Sequence, residues 1–125
     1  MELQVQDIAS VRLIRIAGRI DHTTVQSFQD LLFPRLTDCP GEIQQVLLDL
    51  HGVNYMVSGG WRVLVLAVRQ CQQQHRGMIL AALSPFLQKI FPITHFDAVF
   101  KVFATVRAAL EHLSPAAVSL YSAAE

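Results

Sequence analysis

The stretch Val46-Leu47-Leu48, closed by Asp49-Leu50, is apolar on consecutive positions rather than alternate ones. A strand with one wet face alternates, whereas a strand covered on both faces reads as a continuous apolar run. Met78 to Leu83 and Val99 to Phe103 carry the same pattern. Buried strands of this kind belong to parallel sheets, which need helices between their strands to carry the chain back.

The intervening segments meet that need. Val11 to Ile16 is rich in β-branched residues and closes at Gly18, which predicts a strand. Leu3 to Gln6 predicts a weaker edge strand before it, with Asp7 to Ser10 as the turn. Thr23 and Thr24 offer N-cap hydroxyls, and Val25, Phe28, Leu31 and Leu32 follow at helical spacing up to Pro34, which should end or bend the helix. His51 to Val57 reads as a loop into a helix from Ser58 to about Gln74, closed by Gly77. Its stripe is Trp61, Leu64, Val65, Val68 and Cys71. Ser84-Pro85 opens a short helix through Phe91, and Thr105 begins another through about Leu113. The prediction is a single α/β domain over residues 1–113, with a mostly parallel or mixed sheet of four or five strands flanked by helices. An Ala- and Ser-rich tail, 114–125, is expected to be loosely held.

Composition narrows the function. The chain has 125 residues, 52% of them hydrophobic and 16% charged, with ten basic side chains balancing ten acidic ones. That argues against disorder and against a nucleic-acid binder, which needs clustered Lys and Arg to displace counterions. The apolar run Val63 to Val68, exceeded in length by none, is far short of a membrane span, and no secretory signal is visible. A cytoplasmic location without membrane insertion is the expectation. Cys39 and Cys71 form no metal pattern, and His22, His51, His75, His95 and His112 lack ligand spacing. Neither phosphate-binding glycine motif occurs, and no cofactor is expected. Asp49, His51 and Ser58 lie close enough in sequence to raise a Ser-His-Asp hydrolase, yet the Gly-x-Ser-x-Gly elbow is absent.

The run Leu48-Asp49-Leu50 through Val57-Ser58-Gly59-Gly60 resembles the signature of STAS domains of the anti-sigma-factor antagonist type, in which a strand leads into Asp-Ser-Ser/Thr-Gly at a helix start. Gly18-Arg19-Ile20-Asp21 is similar to the family's Gly-x-Leu-Asp, and Leu83-Ser84-Pro85 to its Leu-Ser-Pro. Phe100-Lys101-Val102 with Val106, Ala109 and Leu110 is similar to its closing strand and helix. The resemblance implies a STAS fold and a non-enzymatic protein that docks on an anti-sigma factor doubling as a serine kinase, releasing a sigma factor. It also implies that Ser58 is the phosphate acceptor. The alternative within the family is an unphosphorylated accessory subunit docking on a transporter ATPase. Two departures stand out: Val57 replaces the family's aspartate, and Gly59 its second Ser/Thr.

Residue type alone reads Ser58 as an N-cap. Asp21 is read either as a helix cap or, with His22, as the rim of a docking surface that also includes Val57, Ser58, Gly59, Gly60 and Arg62. Val63 and Leu66 are apolar off the core stripe of the Ser58 helix. They read as a partner surface unless a neighbouring element covers them.

Overall fold

The computed structural model describes residues 1–124. It opens with a hairpin: β1 (Glu2–Ile8) runs antiparallel to β2 (Val11–Ile20), with Ile8 opposite Val11 across Ala9 and Ser10. Ala9 takes a left-handed φ of 54° to make that turn. Thereafter every strand is parallel to the one before. The order is α1 (Val25–Thr37), β3 (Gln45–Met56), α2 (Ser58–Gln73), β4 (Gly77–Ala81), α3 (Pro85–Thr94) and β5 (Val102–Phe103), and the sheet order is β1-β2-β3-β4-β5. Right-handed crossovers between successive neighbours place their helices on one face. Phe28 and Leu32 of α1, Trp61 and Leu64 of α2 and Leu87 of α3 accordingly pack on Ile14, Leu48 and Leu80 in one core. The opposite face carries a second core, in which α4 (Val106–Leu113) and α5 (Pro115–Ala124) cover Leu13, Leu47 and Ile79. The fold is thus the single α/β domain with a mixed sheet expected from the pattern of apolar runs.

Several details depart from expectation. Residues 51–56 are strand rather than loop, so Asp49 lies inside β3 and not at its end. Pairing with β2 persists to Ile20 opposite Met56, with register shifts between Arg15 and Ala17 and between Gly18 and Arg19. Those shifts break the period-2 alternation that sequence reading relies on. Gly52 is needed there, because a Cβ on it would lie 2.8 Å from the Cβ of Ala17.

Pro34 does not end α1. The helix runs on to Thr37 because Leu32 and Leu36, on either side of the proline, are both anchored in the core, and Asp38 N–H still reaches the Pro34 carbonyl at 2.9 Å. Gly77 is not the terminator of α2 but the first residue of β4; His75 takes the left-handed turn instead, at φ 59°. The last strand shrinks to Val102–Phe103, with Val99 exposed before it. Residues 115–124 form a helix in place of a loose tail, with Ala117 fully buried on the second core.

Polar ties close the ends of the layers. Arg12, largely buried, donates to both carboxylate oxygens of Asp7 at 2.8 and 2.9 Å, to Asp38 at 2.7 Å and to the Arg35 carbonyl at 2.9 Å, stapling the hairpin to the end of α1. Arg76 similarly gathers the carbonyls of Cys39, Pro40 and Ile43. Ser84, 3% exposed, donates to the Val53 carbonyl and accepts from Leu87 N–H at 3.3 Å, tying the start of α3 to β3. Replacing Ser84 by Ala orphans a buried carbonyl and removes a helix cap. Urea denaturation should show a loss of about 1–3 kcal/mol.

Candidate functional site

The β2–β3 pairing brings two chain reversals side by side. At its C-terminal end Val57 N–H donates to the Ile20 carbonyl at 2.9 Å, so the turn after β2 (Asp21–Thr24) abuts the start of α2. The C-terminal edge of parallel strands is where open α/β sheets place their functional loops.

Ser58 is the first residue of α2, and Val57, extended at φ −77° and ψ 167°, occupies the cap position. The expected capping role of Ser58 is therefore not taken. The residue is exposed, and its hydroxyl makes no hydrogen bond among the described residues. Val57 has no side-chain oxygen to cap with, so the first amides of α2 are left without a side-chain acceptor. Gly60 N–H turns back to the Val57 carbonyl at 2.9 Å. A Cβ on Gly60 would run into the Met56 side chain and come within 3.0 Å of Ile20 Cγ2, so only glycine lets the helix start this close to the sheet. Gly59 faces α1, where a Cβ would approach Val25 Cγ2 to 3.3 Å.

Asp21 organises the neighbouring turn. Its Oδ1 accepts from Thr23 N–H at 2.9 Å and Thr23 Oγ1 at 2.6 Å, and its Oδ2 accepts from Arg19 Nε at 3.0 Å. The Thr24 hydroxyl completes the turn, accepting from Asp21 N–H at 2.9 Å and donating to the Arg19 carbonyl at 2.7 Å. The bonds from Thr23, with the Arg19 charge behind them, hold the Asp21 carboxyl down at about 2 against an ordinary 3.8. Asp21 thus shapes the turn through its own carboxylate, and His22 at the tip is exposed.

Between the two helix starts runs a cleft lined by Val25, Gln29, Gly59, Arg62 and Leu66. Arg62 is exposed and Leu66 half-buried. Val63 lines the floor of that cleft but presents little surface: at 4% exposure it is packed in the core, because α1 covers that side of α2. Sequence reading also missed Arg19 and Tyr55, which the β2–β3 register sets opposite each other. The Arg19 guanidinium lies 3.9 Å from the Tyr55 ring centroid, and Tyr55 packs on Phe86 at 5.3 Å. The bulge between Gly18 and Arg19 produces that match, and no local pattern marks it.

The Ser-His-Asp grouping is not assembled. Asp49 accepts from the backbone N–H of His51 at 3.0 Å and lies 3.9 Å from Arg15. Seven residue steps of strand separate it from Met56, roughly 23 Å at about 3.3 Å per residue.

The STAS domain family matches residues 2–109. The chain belongs to the STAS family. Among STAS relatives, it is 27% identical over 102 residues to BtrV of Bordetella bronchiseptica, named as an anti-sigma factor antagonist, covering 82% of this chain and 85% of that one. A STAS protein of Planctomyces limnophilus, described as an anti-sigma-factor antagonist, superposes with a TM-score of 0.76 at 23% identity, over 90% of this chain and 97% of that one. The Bacillus cell fate determinant SpoIIAA in its phosphorylated form superposes with a TM-score of 0.64 at 18% identity, over 90% of this chain and 100% of that one. SpoIIAA in its unphosphorylated form superposes with a TM-score of 0.69. Among the described residues no helix is long and apolar enough to cross a membrane.

Two variants probe this corner of the STAS fold. Because folding lowers the Asp21 pKa, that carboxylate stabilises the fold above the unfolded value of 3.8, and the gain is lost as pH falls through about 2. Asp21→Asn should lower the melting temperature near neutral pH and differ little from the parent near pH 2, compared by thermal melts at both. Val57→Asp places an acceptor at the cap of α2, and urea denaturation should show a gain of about 0.5–2 kcal/mol.

Proposed function

We propose that this STAS domain is an anti-sigma-factor antagonist. It docks on a partner that is both anti-sigma factor and serine kinase, releases a sigma factor, and is switched by phosphorylation of Ser58. The observation that carries the reading is the state of Ser58: exposed, free of internal hydrogen bonds, and first in a helix of 16 residues. The name of the Bordetella relative and the two SpoIIAA forms support it, as does the match of Ser58 to the family's acceptor position.

The chemistry suits the place. In the transfer, Ser58 Oγ forms a bond to the γ-phosphorus of ATP as the bond to the β–γ bridging oxygen breaks. ADP leaves, and the hydroxyl proton passes to a base on the kinase. The product adds roughly −1.5 to −2 charges. At the N-terminus of α2 that charge meets uncapped amides and the positive end of the helix dipole, so the modified domain is not destabilised. For docking the sign reverses. Ser58 sits between half-buried Val57 and Gly59, with Arg62 and Leu66 lining the cleft beyond Gly59 and His22 exposed at the tip of the adjoining turn; among these residues Arg62 alone carries a full charge. Burying a doubly charged group against a partner that fits the bare hydroxyl incurs a desolvation cost. The unmodified domain therefore binds and the phosphorylated one is released, while the Asp21 turn and the α1–α2 cleft fix the surface around the switch.

Incubation with the cognate kinase and ATP should add one phosphoryl group by intact mass, and Ser58→Ala should abolish it. Ser58→Asp should weaken partner binding at least tenfold by calorimetry, on the order of 1.4 kcal/mol. No phosphoryl gain on the parent chain rules out the switch, and unchanged affinity of Ser58→Asp rules out its mechanism.

A further inference from the structure

The sheet has one long open edge. Among the described residues β1 pairs with β2 alone, and it offers seven residues, Glu2 to Ile8, with no proline, lysine or bulge among them. Those are among the devices by which natural edge strands are kept from pairing with another chain, and the two charges β1 does carry, Glu2 and Asp7, lie at or next to its ends. The other edge, β5, is only two residues long. Two of the large apolar side chains left exposed lie on β1 or on α1, which packs over it: Val5 at 37% and Leu31 at 38%.

The direction of the free groups follows from the hairpin. Ile8 and Val11 close a two-residue turn, so they form a hydrogen-bonded pair, and bonding to β2 alternates from there to the even-numbered residues of β1. Leu3, Val5 and Asp7 therefore aim their N–H and C=O groups outward. We propose that two copies of the chain join through these edges, antiparallel and centred on Val5, into one continuous sheet of twice the five strands.

That register is self-complementary. Val5 meets Val5, Leu3 meets Asp7 twice over, and each pair exchanges both N–H···O bonds, so every outward group of the three residues is used. Glu2 falls opposite Ile8 and Gln4 opposite Gln6, where the two amides can exchange hydrogen bonds. No like charges face each other, and the Asp7 carboxylate is already held by both its oxygens on Arg12. A two-residue slip to centre on Asp7 would set Asp7 against Asp7, and a slip to Leu3 would leave Asp7 without a partner. With ten acidic and ten basic side chains, the chain has no net charge to oppose self-association. The two-fold axis stands perpendicular to the sheet, so both copies keep α1 and α2 on the same side and carry their Ser58 corners at opposite ends.

Sedimentation equilibrium at tens of micromolar should give about 28 kDa, twice the 14.0 kDa of the chain. Val5→Lys, which sets two ammonium groups across the axis, should weaken the dimer at least tenfold while the chain stays folded by circular dichroism, its melting temperature losing only the share that association supplies. A monomeric parent chain, or a folded Val5→Lys variant that still dimerises, overturns the proposal. Should Val5→Lys fail to fold, cross-linking decides. In a Cys39→Ser background, Gln4→Cys and Gln6→Cys variants are mixed and oxidised with copper-phenanthroline. Opposed at about 4.5 Å between Cα atoms, they should yield a linked dimer only in the mixture. No link in the mixture, or equal links in either variant alone, overturns it.

Discussion

The parallel pairing of β2 with β3 is the contact on which the rest of the molecule depends. It crosses two register shifts and still ends with Ile20 opposite Met56. Because it ends there, the turn after β2 and the start of α2 share one corner, and the Val57 amide closes on the Ile20 carbonyl. A pairing that stopped at Leu50, as the apolar run alone suggests, would leave seven residues of loop, 51–57, between sheet and helix. Ser58 would then be held by nothing. The bulges absorb the offset, and Gly52 against Ala17 and Gly60 against Met56 are the two close approaches that let the layers meet.

The architecture was legible in the sequence because doubly buried strands leave a composition signature. Val46 to Leu50 and Met78 to Leu83 carry no polar residue facing either layer before their ends, and both became central strands. The helix starting at Ser58 was legible from its stripe and β2 from its β-branched residues, while the expected turn at Asp7–Ser10 shrinks to Ala9 and Ser10 because Asp7 and Ile8 still pair with Arg12 and Val11. The misses share a cause too. Residues 51–56 alternate irregularly because the partner strand is bulged, which is a property of the pair and not of either segment. Pro34 is tolerated because Leu32 and Leu36 are held by tertiary packing, which overrides the local cost of proline. At the site, Ser58, Asp21 and Gly60 were found from the order of short motifs. Val63 was misplaced because its cover comes from α1, and Arg19 and Tyr55 were invisible because register alone joins them.

The two substitutions in the Ser58 motif are coherent in the structure. Valine at the cap position removes an internal acceptor, and glycine after Ser58 removes a side chain that would crowd Val25. Both changes open the helix start rather than remodel it. Order in the corner is supplied instead from the neighbouring turn, where Asp21, Thr23 and Thr24 satisfy one another within four residues. Rigidity and accessibility are thus assigned to different loops: one is tied by hydrogen bonds, the other is left available.

Helix α5 carries a consequence for how the domain is delimited. The family match ends at residue 109, inside α4 and before α5 begins. Yet Leu110 and Ala117 are fully buried and help to cover Leu47 and Ile79 on the second face of the sheet. A chain cut where the family match stops would lose half of α4 and all of α5. It would turn an interior apolar face outward, the kind of surface that drives nonspecific association. The stretch matched by the family and the physical folding unit do not coincide in this protein.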